Sequence, residues 1–279
     1  MMKETRAEHL AVEKLRPFEG HPFKVVDDEE MDQLTWSILT QGLLTPLVVR
    51  PLDNGKYEVI SGHRRLHACK KAGIETVPAL IYAIDRDAAA IALVDSNLQR
   101  EHILPSEKAF AYKLKLEAMN HQGRTSGQVG QKWTRDEIAE GKSGRQVQRY
   151  IRLTNLIPGI LQKVDEGRIA LTPAVELSYL TDAEQEDLLE TMESEDCTPS
   201  LSQAIQMKTL SQSGQLDMDK IFSIMTQPKA NQQEKISFKV SELRDFFPRH
   251  YTAAQMMQEI KMALKERQQR LARQRDHSR

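Results

Sequence analysis

Long apolar runs and cysteines are scarce in this sequence, and each scarcity excludes a class of protein. No stretch approaches the roughly 18 consecutive apolar residues that a membrane-spanning helix needs, so we expect no membrane partner. The two cysteines, Cys69 and Cys197, lie far apart and fit no metal-binding spacing, which indicates a reducing, cytoplasmic environment. Residues 1–10 have no apolar core, so we expect no secretory signal.

The sequence also lacks an overall charge, because its formal net charge is −1. The net charge of the chain therefore gives no indication of nucleic-acid binding. The charges are unevenly distributed, however. Residues 142–152 contain four basic residues and no acid, residues 261–279 contain seven Lys and Arg residues, and residues 181–195 are strongly acidic. Local basic stretches can bind nucleic acid even when the whole chain is neutral.

Residues 61–68, with the sequence Ser-Gly-His-Arg-Arg-Leu-His-Ala, join a strand-like run to a helix-like run. A glycine-containing turn of this kind points backbone N–H groups at one spot, where the helix dipole favours negative charge. Arg64 and Arg65 stand at that spot, and arginine matches phosphate oxygens in a bidentate way. The pattern predicts an anion site, above all for a phosphate. The alternative is a surface turn whose arginines pair with carboxylates, and the spacing alone does not decide between the two.

The first hundred residues predict a compact α/β domain, to which we assign residues 1–103. The predicted strands are residues 10–15, 47–50, 57–60 and 77–82, and the predicted helices are residues 31–39, 66–71 and 87–93. Gly42 is placed to end the first helix. Residues 95–101 are interpreted as a turn between helices, although Asn97 and Arg100 could share one face of a helical turn and bind a common ligand.

A helix-turn-helix pattern follows, within a helical domain that we assign to residues 104–195. A helix is predicted over residues 106–119, a loop over 120–132, a short helix over 135–139, and a second, basic helix over 145–156. The second helix of such a motif enters the major groove, where Arg and Gln read guanine and adenine edges. The candidate DNA-binding residues are Lys142, Ser143, Arg145, Gln146, Gln148, Arg149 and Arg152. A solvated basic face on a structural helix is the alternative.

The remainder of the chain carries weaker signals. Short helices are predicted to support the basic helix up to residue 195, and residues 196–234 are interpreted as a linker or loosely helical segment. Residues 235–279 predict a small strand-helix element. Its helix places Met256, Ile260, Leu264 and Leu271 on one stripe, which could pair with a second copy or pack onto its own chain.

Four stretches, taken in order, resemble the motifs of the ParB partition proteins, including their relatives on plasmids and conjugative elements. Residues 37–50, with Gly-Leu-Leu-Thr-Pro-Leu-Val-Val-Arg at their end, resemble the first family block. Residues 61–68 resemble the family's Gly-Glu-Arg-Arg box, and residues 96–101 resemble its Glu-Asn-x-x-Arg block. Gly141-Lys142-Ser143 and the helix that follows resemble its helix-turn-helix. Each motif is moderately specific, and the four together span residues 10–180.

This resemblance implies a CTP-binding α/β domain, a DNA-binding helical domain and a C-terminal dimerisation element. DNA and CTP would close two subunits into a clamp that slides from a centromere-like site, with the protein associated with the nucleoid or a plasmid. The implied nucleotide contacts, with a magnesium ion, are Gly42, Thr45, Pro46, Gly62, His63, Arg64, Arg65, Ser96, Asn97 and Arg100. The family's basic N-terminal motif for a ParA-type ATPase is not recognisable in residues 1–10, so that partner is an open expectation.

Three residues depart from the family pattern. His63 stands where the commonest form of the box has Glu, and His67 where it often has Arg. Ser96 replaces a glutamate that is tied to the hydrolysis cycle in the family, and a serine cannot act as a carboxylate base. Three outcomes therefore stay open: a weak CTPase, CTP binding without hydrolysis, and no CTP binding.

Two functions of other classes compete with partition. The α/β fold also resembles sulfiredoxin, a nucleotide-dependent enzyme whose box has Cys where this chain has Gly62. The nearest thiol, Cys69, is about two helical turns away, so that chemistry would lack a nucleophile. The other alternative is a helix-turn-helix transcription regulator of a mobile element with a vestigial nucleotide fold.

Overall fold

The computed structural model describes residues 6–125 and 143–227 and, of the C-terminal part, residues 243, 246–248 and 250–276. The chain divides into two compact units, Met1–Gln227 and Pro228–Arg279. Three sequence predictions fall outside the described residues, namely the short helix at 135–139, the DNA-binding role of Lys142, and the strand expected in residues 236–240.

The N-terminal part is built on a five-stranded mixed sheet. Its strands are β1 (Arg6–Ala11), β2 (Leu15–Pro17), β3 (Leu47–Pro51), β4 (Tyr57–Ser61) and β5 (Thr76–Ile81). They are ordered β1-β5-β3-β4-β2. The pairs β1–β5 and β3–β4 are antiparallel, whereas β3–β5 and β2–β4 are parallel. The α/β class predicted for this part of the chain is confirmed.

The single strand predicted over residues 10–15 is wrong, because that stretch contributes to two strands. A 3-10 turn, Val12–Lys14, separates β1 from β2. The two strands lie at opposite edges of the sheet, so the chain has to leave one edge and cross to the other. Val12 and Leu15 are both buried at the crossing, which is why the run looks continuously apolar in the sequence.

Three helices accompany the sheet, and the sequence explains where they begin. They are α1 (Glu29–Gln41), α2 (His63–Lys71) and α3 (Arg86–Leu98). Asp28 caps α1 by accepting a hydrogen bond from the Met31 N–H at 2.8 Å, and Asp85 caps α3 in the same way from Ala88 at 2.7 Å. Gly42, at a φ of 75°, ends α1 as predicted.

Helix α3 is longer than predicted, and this changes the interpretation of the block after it. Ser96 and Asn97 belong to its last turn, so the prediction that they lie in a turn between helices is wrong. Burial of Leu93 and Val94 continues the helix beyond its alanine-rich part. Asp95 also pairs with the buried Lys115 at 2.6 Å, which joins α3 to the next helix.

Seven helices follow among the described residues of the first unit. They are α4 (Pro105–Thr125), α5 (Gly144–Arg152), α6 (Pro158–Asp165), α7 (Leu171–Leu177), α8 (Asp182–Ser194), α9 (Leu201–Gln212) and α10 (Met218–Met225). Their shared core contains Leu153, Ile160, Leu177, Leu188 and Met207, all fully buried. None of the described helices is long and apolar enough to span a membrane.

Three predicted boundaries in this region need correction. Helix α4 runs to Thr125, into the loop predicted from residue 120. Helix α5 ends at Arg152, where a 3-10 turn replaces its predicted last turn. The segment predicted over residues 196–234 as a linker or loosely helical contains two regular helices, α9 and α10, and Ile221, Ile224 and Met225 of α10 are buried in the helical core. Their i, i+3, i+4 spacing is the helical signal that the polar composition of the segment obscured.

The second unit contains α11 (Ala253–Asp276), close to the predicted last helix. The predicted apolar stripe is not uniformly covered, since Met256 is 1% exposed and Leu264 is 57% exposed. Pairing of this helix with a second copy stays a prediction.

Candidate functional site

The turn between β4 and α2 depends on Gly62. Its φ is +103°, which lies in the region that favours glycine, and a Cβ at this position would lie 2.5 Å from Cδ2 of the buried Leu47. Among the described residues no side chain caps α2, so its first backbone N–H groups are open to an exogenous acceptor. The fold thus forms the anion-binding geometry that the sequence predicted for this turn.

A pocket of about 160 Å³ opens at this turn. It brings together the predicted residues of the box and of the last turn of α3. Its lining consists of His21, Phe23, Lys24, Val25, Ser61, Gly62, His63, Arg64, Arg65, Ser96, Asn97 and Arg100. Four of these residues are cationic and none is a carboxylate. The pocket is therefore electropositive and suited to an anion.

Arg65 connects the pocket to the first motif block. Its Nη1 donates to the backbone oxygens of Thr45 at 2.6 Å and of Pro46 at 3.0 Å. Burial lowers the pKa of Arg65, but a guanidinium keeps its charge in proteins. Thr45 and Pro46 do not line the pocket themselves, and neither does Gly42 at the end of α1. Thr45 and Pro46 stand behind Arg65, whose guanidinium they hold.

Arg64 is held differently, by carboxylates at the start of α1. Its Nη2 donates to Asp28 at 3.3 Å and to Glu30 at 3.2 Å. The alternative offered by the sequence, arginines paired with carboxylates, thus describes Arg64 but not Arg65. Both Arg64 partners are at least 40% exposed, and exposed pairs of this kind contribute little energy, so an anion can compete for this guanidinium.

Arg100 is the least constrained of the four cations. Its side chain makes no hydrogen bond or ion pair to any other residue that the structure describes, and it lines the pocket together with Ser96 and Asn97. Ser96 Oγ donates to Leu93 O at 2.9 Å, and Asn97 Nδ2 donates to the same oxygen at 2.8 Å. The carbonyl oxygen of the Asn97 side chain remains available to a ligand or a hydrated ion.

His63 is part of the scaffold of the pocket and carries no positive charge. Its Nε2 accepts a hydrogen bond from the Phe18 N–H at 3.2 Å, and its other nitrogen bonds to the backbone of Val59. Its ring lies 3.7 Å from the ring of His21, centroid to centroid. Burial, with the charges of His21 and Arg100, lowers the pKa of His63 to about 3. A neutral imidazole with both nitrogens engaged can shape the pocket but cannot bind a phosphate by charge.

The burial of His63 predicts a measurable pH dependence of stability. Because the pKa is about 3 in the folded protein and about 6.5 when unfolded, only the unfolded state takes up this proton as the pH falls below 6.5. The free energy of unfolding should therefore fall by about 2 kcal/mol between pH 6.5 and pH 5. Urea titrations at both pH values measure it. In the variant His63→Gln the free energy of unfolding should fall less over this pH range, by about the contribution of one proton. A fall as large as that of the wild type would contradict this assignment.

The outer wall of the pocket, residues 21–25, was missed by sequence reasoning. Glycine and prolines break regular structure there, so no periodic signal exists. The wall is fixed from the helical part of the unit: the Lys24 N–H donates to Glu107 at 2.8 Å, and Lys24 Nζ lies 3.5 Å from Asp165. Asp165 also accepts hydrogen bonds from the N–H and hydroxyl of Ser106, at the start of α4. Such contacts between distant segments cannot be inferred from local pattern.

The predicted DNA-binding residues lie on or just before α5, apart from Lys142, which lies outside the described residues. Ser143 caps the helix by accepting from the Gln146 N–H at 3.3 Å. Arg145 and Gln146 are exposed, and the Gln148 side-chain oxygen is buried with no hydrogen-bond partner among the described residues. Arg149 donates to Thr172 at 2.6 Å, and Arg152 donates to the Ser178 backbone oxygen at 2.7 Å. Arg145 and Gln146 are thus exposed near the start of α5, whereas the last two arginines of the helix contact α7 and the residue that follows it.

A thiol-based enzyme gains no support from this geometry. Cys69 is fully buried, and burial raises the pKa of its thiol. A buried thiol with a raised pKa is a poor nucleophile. Cys69 does not line the pocket.

Sequence comparisons place this chain among partition proteins. The family profile described as the ParB N-terminal domain matches residues 1–98. A probable chromosome-partitioning protein ParB from Vibrio cholerae is 30% identical over 247 residues, which cover 88% of this chain and 80% of that protein. The stage 0 sporulation protein J of Bacillus subtilis is 33% identical over 172 residues, covering 61% of this chain and 56% of that protein.

Two solved structures of C-terminally truncated ParB from Caulobacter crescentus are also similar. One, complexed to the centromeric parS site, is 23% identical, has a TM-score of 0.42, and is covered over 99% of its length by 74% of this chain. The other, complexed with CTP-gamma-S, is 25% identical, has a TM-score of 0.32, and is covered over 99% of its length by 67% of this chain. The extended match to the Vibrio protein is what decides the family. The chain belongs to the ParB family of chromosome-partitioning proteins.

Proposed function

We propose that this chain is a DNA-binding partition protein that acts as a homodimer and uses CTP as the switch that closes the dimer into a clamp. One observation carries the nucleotide part of the proposal. The pocket at the N-terminus of α2 is lined by Lys24, Arg64, Arg65 and Arg100 and by no carboxylate. A triphosphate is the common cellular ligand that needs several cations and a helix N-terminus at one place.

Each group of the pocket has a distinct task in this proposal. The N–H groups at the start of α2 and the guanidinium groups of Arg64, Arg65 and Arg100 would bind phosphate oxygens. Among the described residues, no cluster of three or more His, Cys, Asp or Glu side chains forms a metal site. Magnesium would therefore be held by phosphate oxygens and water, with Asn97 as the nearest neutral oxygen donor, as Mg²⁺ bound to nucleotides usually is.

The DNA-binding part of the proposal rests on α5. Its N-terminal half carries the exposed Arg145 and Gln146, and Arg149 follows one turn later on the same side. The N-terminal residues of a recognition helix contact base edges in helix-turn-helix proteins. Arg152 is excluded from base contact, since Ser178 occupies its guanidinium and the ring of Tyr179 lies 3.8 Å away.

Replacing Arg149 with alanine should weaken binding to the specific DNA site by about 1–3 kcal/mol if Arg149 contacts a base. Binding to unrelated DNA should then change little. If Arg149 contacts a phosphate instead, both affinities should fall alike. Fluorescence anisotropy at fixed salt measures both affinities. Arg168→Ala is the matched control, because Arg168 is an exposed arginine of the helical part whose partner is Asp196 and which lies outside α5. No change on any DNA would remove α5 from the reading surface.

Footprinting with and without CTP tests the partition function itself. A partition clamp should protect its site and, with CTP, spread into flanking DNA when the DNA ends are blocked. A footprint bounded by the site under both conditions would favour the transcription regulator.

A further inference from the structure

The two arginines at the end of α5 have different environments, although the sequence presents them as equivalent. Arg152 donates to the backbone oxygen and, at 3.3 Å, to the hydroxyl of Ser178. Its guanidinium also stacks on Tyr179, whose ring lies 3.9 Å from Lys208 Nζ. These contacts cover the polar edge and one face of the group, so Arg152 is a structural link between α5 and α7.

Among the residues that the structure describes, the Arg149 side chain has a single hydrogen-bond partner, and that partner is neutral. Its Nη2 donates to the Thr172 hydroxyl oxygen at 2.6 Å, and it forms no ion pair with any residue that the structure describes. Thr172 is exposed at the first turn of α7. A guanidinium has five N–H donors, so this contact fixes the orientation of the group, preserves its full charge and leaves most of its donors available.

Orientation matters because a guanidinium reads guanine only when two of its N–H groups align with O6 and N7. A flexible arginine side chain loses rotamer freedom when it adopts that orientation on DNA. We infer that Thr172, although it lies outside the reading helix, is a positioning residue that holds Arg149 in the orientation for base contact and so sets DNA specificity. This inference rests on the proposed DNA-binding function of α5.

Two near-isosteric variants test this inference. Thr172→Val keeps the shape of the side chain and removes the acceptor, whereas Thr172→Ser keeps the acceptor. The probes are a duplex selected from random sequence by the wild-type protein and a shuffled duplex of the same composition. Thr172→Val should lower affinity for the selected duplex roughly three- to tenfold, the effect of one hydrogen bond. Affinity for the shuffled duplex should stay within about twofold of wild type on the same hydrogen-bond reasoning, and Thr172→Ser should behave as wild type.

Combining the valine variant with Arg149→Ala separates the inference from the function on which it rests. Thr172→Val should have no further effect once Arg149 is absent, because its action passes through that side chain. If Arg149→Ala alone leaves both affinities unchanged, the proposed role of α5 fails. The inference is overturned if Arg149→Ala weakens binding but Thr172→Val leaves both affinities unchanged. It is also overturned if Thr172→Val lowers the affinities for both duplexes equally. The urea midpoint should be unchanged in both Thr172 variants, since Thr172 is exposed.

Discussion

Arg64→Ala should abolish CTP-dependent clamp closure while leaving the initial binding to the DNA site intact. Arg64 lines the pocket, and its carboxylate partners are exposed and weak competitors for a phosphate. A charge-assisted hydrogen bond to a phosphate contributes about 1.5–3 kcal/mol, so its loss lowers nucleotide affinity by about one to two orders of magnitude. In the proposed function, site binding depends on α5, and Arg64 has no contact with α5 among the described residues.

Site-specific crosslinking across the dimer, with and without CTP, measures clamp closure, and anisotropy measures site binding. Arg6→Ala is the control, because Arg6 is an exposed arginine of β1 that pairs with Glu8 and does not line the pocket. Loss of site binding with closure intact would contradict the assignment of Arg64.

Gly62→Ala should cause the largest loss of stability among the single changes considered for the pocket. A residue with a side chain is strained at a φ of +103°, and its Cβ would lie 2.5 Å from Leu47 Cδ2. Leu47 is completely buried and cannot move aside freely. Backbone strain and overpacking each cost about 1–3 kcal/mol, so the free energy of unfolding should fall by about 2–6 kcal/mol. The new methyl group would also lie 3.1 Å from Arg65 Nη2, so that this group would have to move by a few tenths of an ångström.

Gly73→Ala separates strain from collision. Gly73 has a φ of +69°, and nothing lies within 4 Å of the position that its Cβ would occupy. Its replacement should therefore cost only the strain of the left-handed region, about 1–2 kcal/mol. Urea unfolding of both variants measures the difference. Equal losses would mean that the contact with Leu47 relaxes, and that Gly62 is needed for its φ alone.

The parts of the pocket that follow from local sequence were predictable. Gly62, Arg64 and Arg65 lie within one strand-turn-helix segment, and elementary helix electrostatics identifies the anion site there. Asn97 and Arg100 both line the pocket, although the end of α3 was misplaced and Arg100 lies beyond it. Their binding of a common ligand stays a prediction. The alanine-rich start of α3 gave no sign that Leu93 and Val94 would be buried and would extend the helix.

The parts that depend on contacts between distant segments were not predictable. Residues 21–25 enter the pocket because Glu107 and Asp165 hold Lys24 from other helices. Likewise, Arg149 and Arg152 have the same local sequence pattern, and only their contacts with α7 and the residues after it distinguish them. Pattern indicates which residues carry charge, whereas packing decides which of those charges remain free for a ligand.

Calorimetric titration of CTP into the full-length protein, with and without magnesium, tests the central claim most directly. The account predicts magnesium-dependent binding to the wild type and to Arg6→Ala, and binding that is at least about tenfold weaker or absent in Arg64→Ala. Absence of binding by CTP, ATP and GTP, even with specific DNA present, would contradict the account. The α/β domain would then be a scaffold, and the helix-turn-helix transcription regulator would describe the protein better.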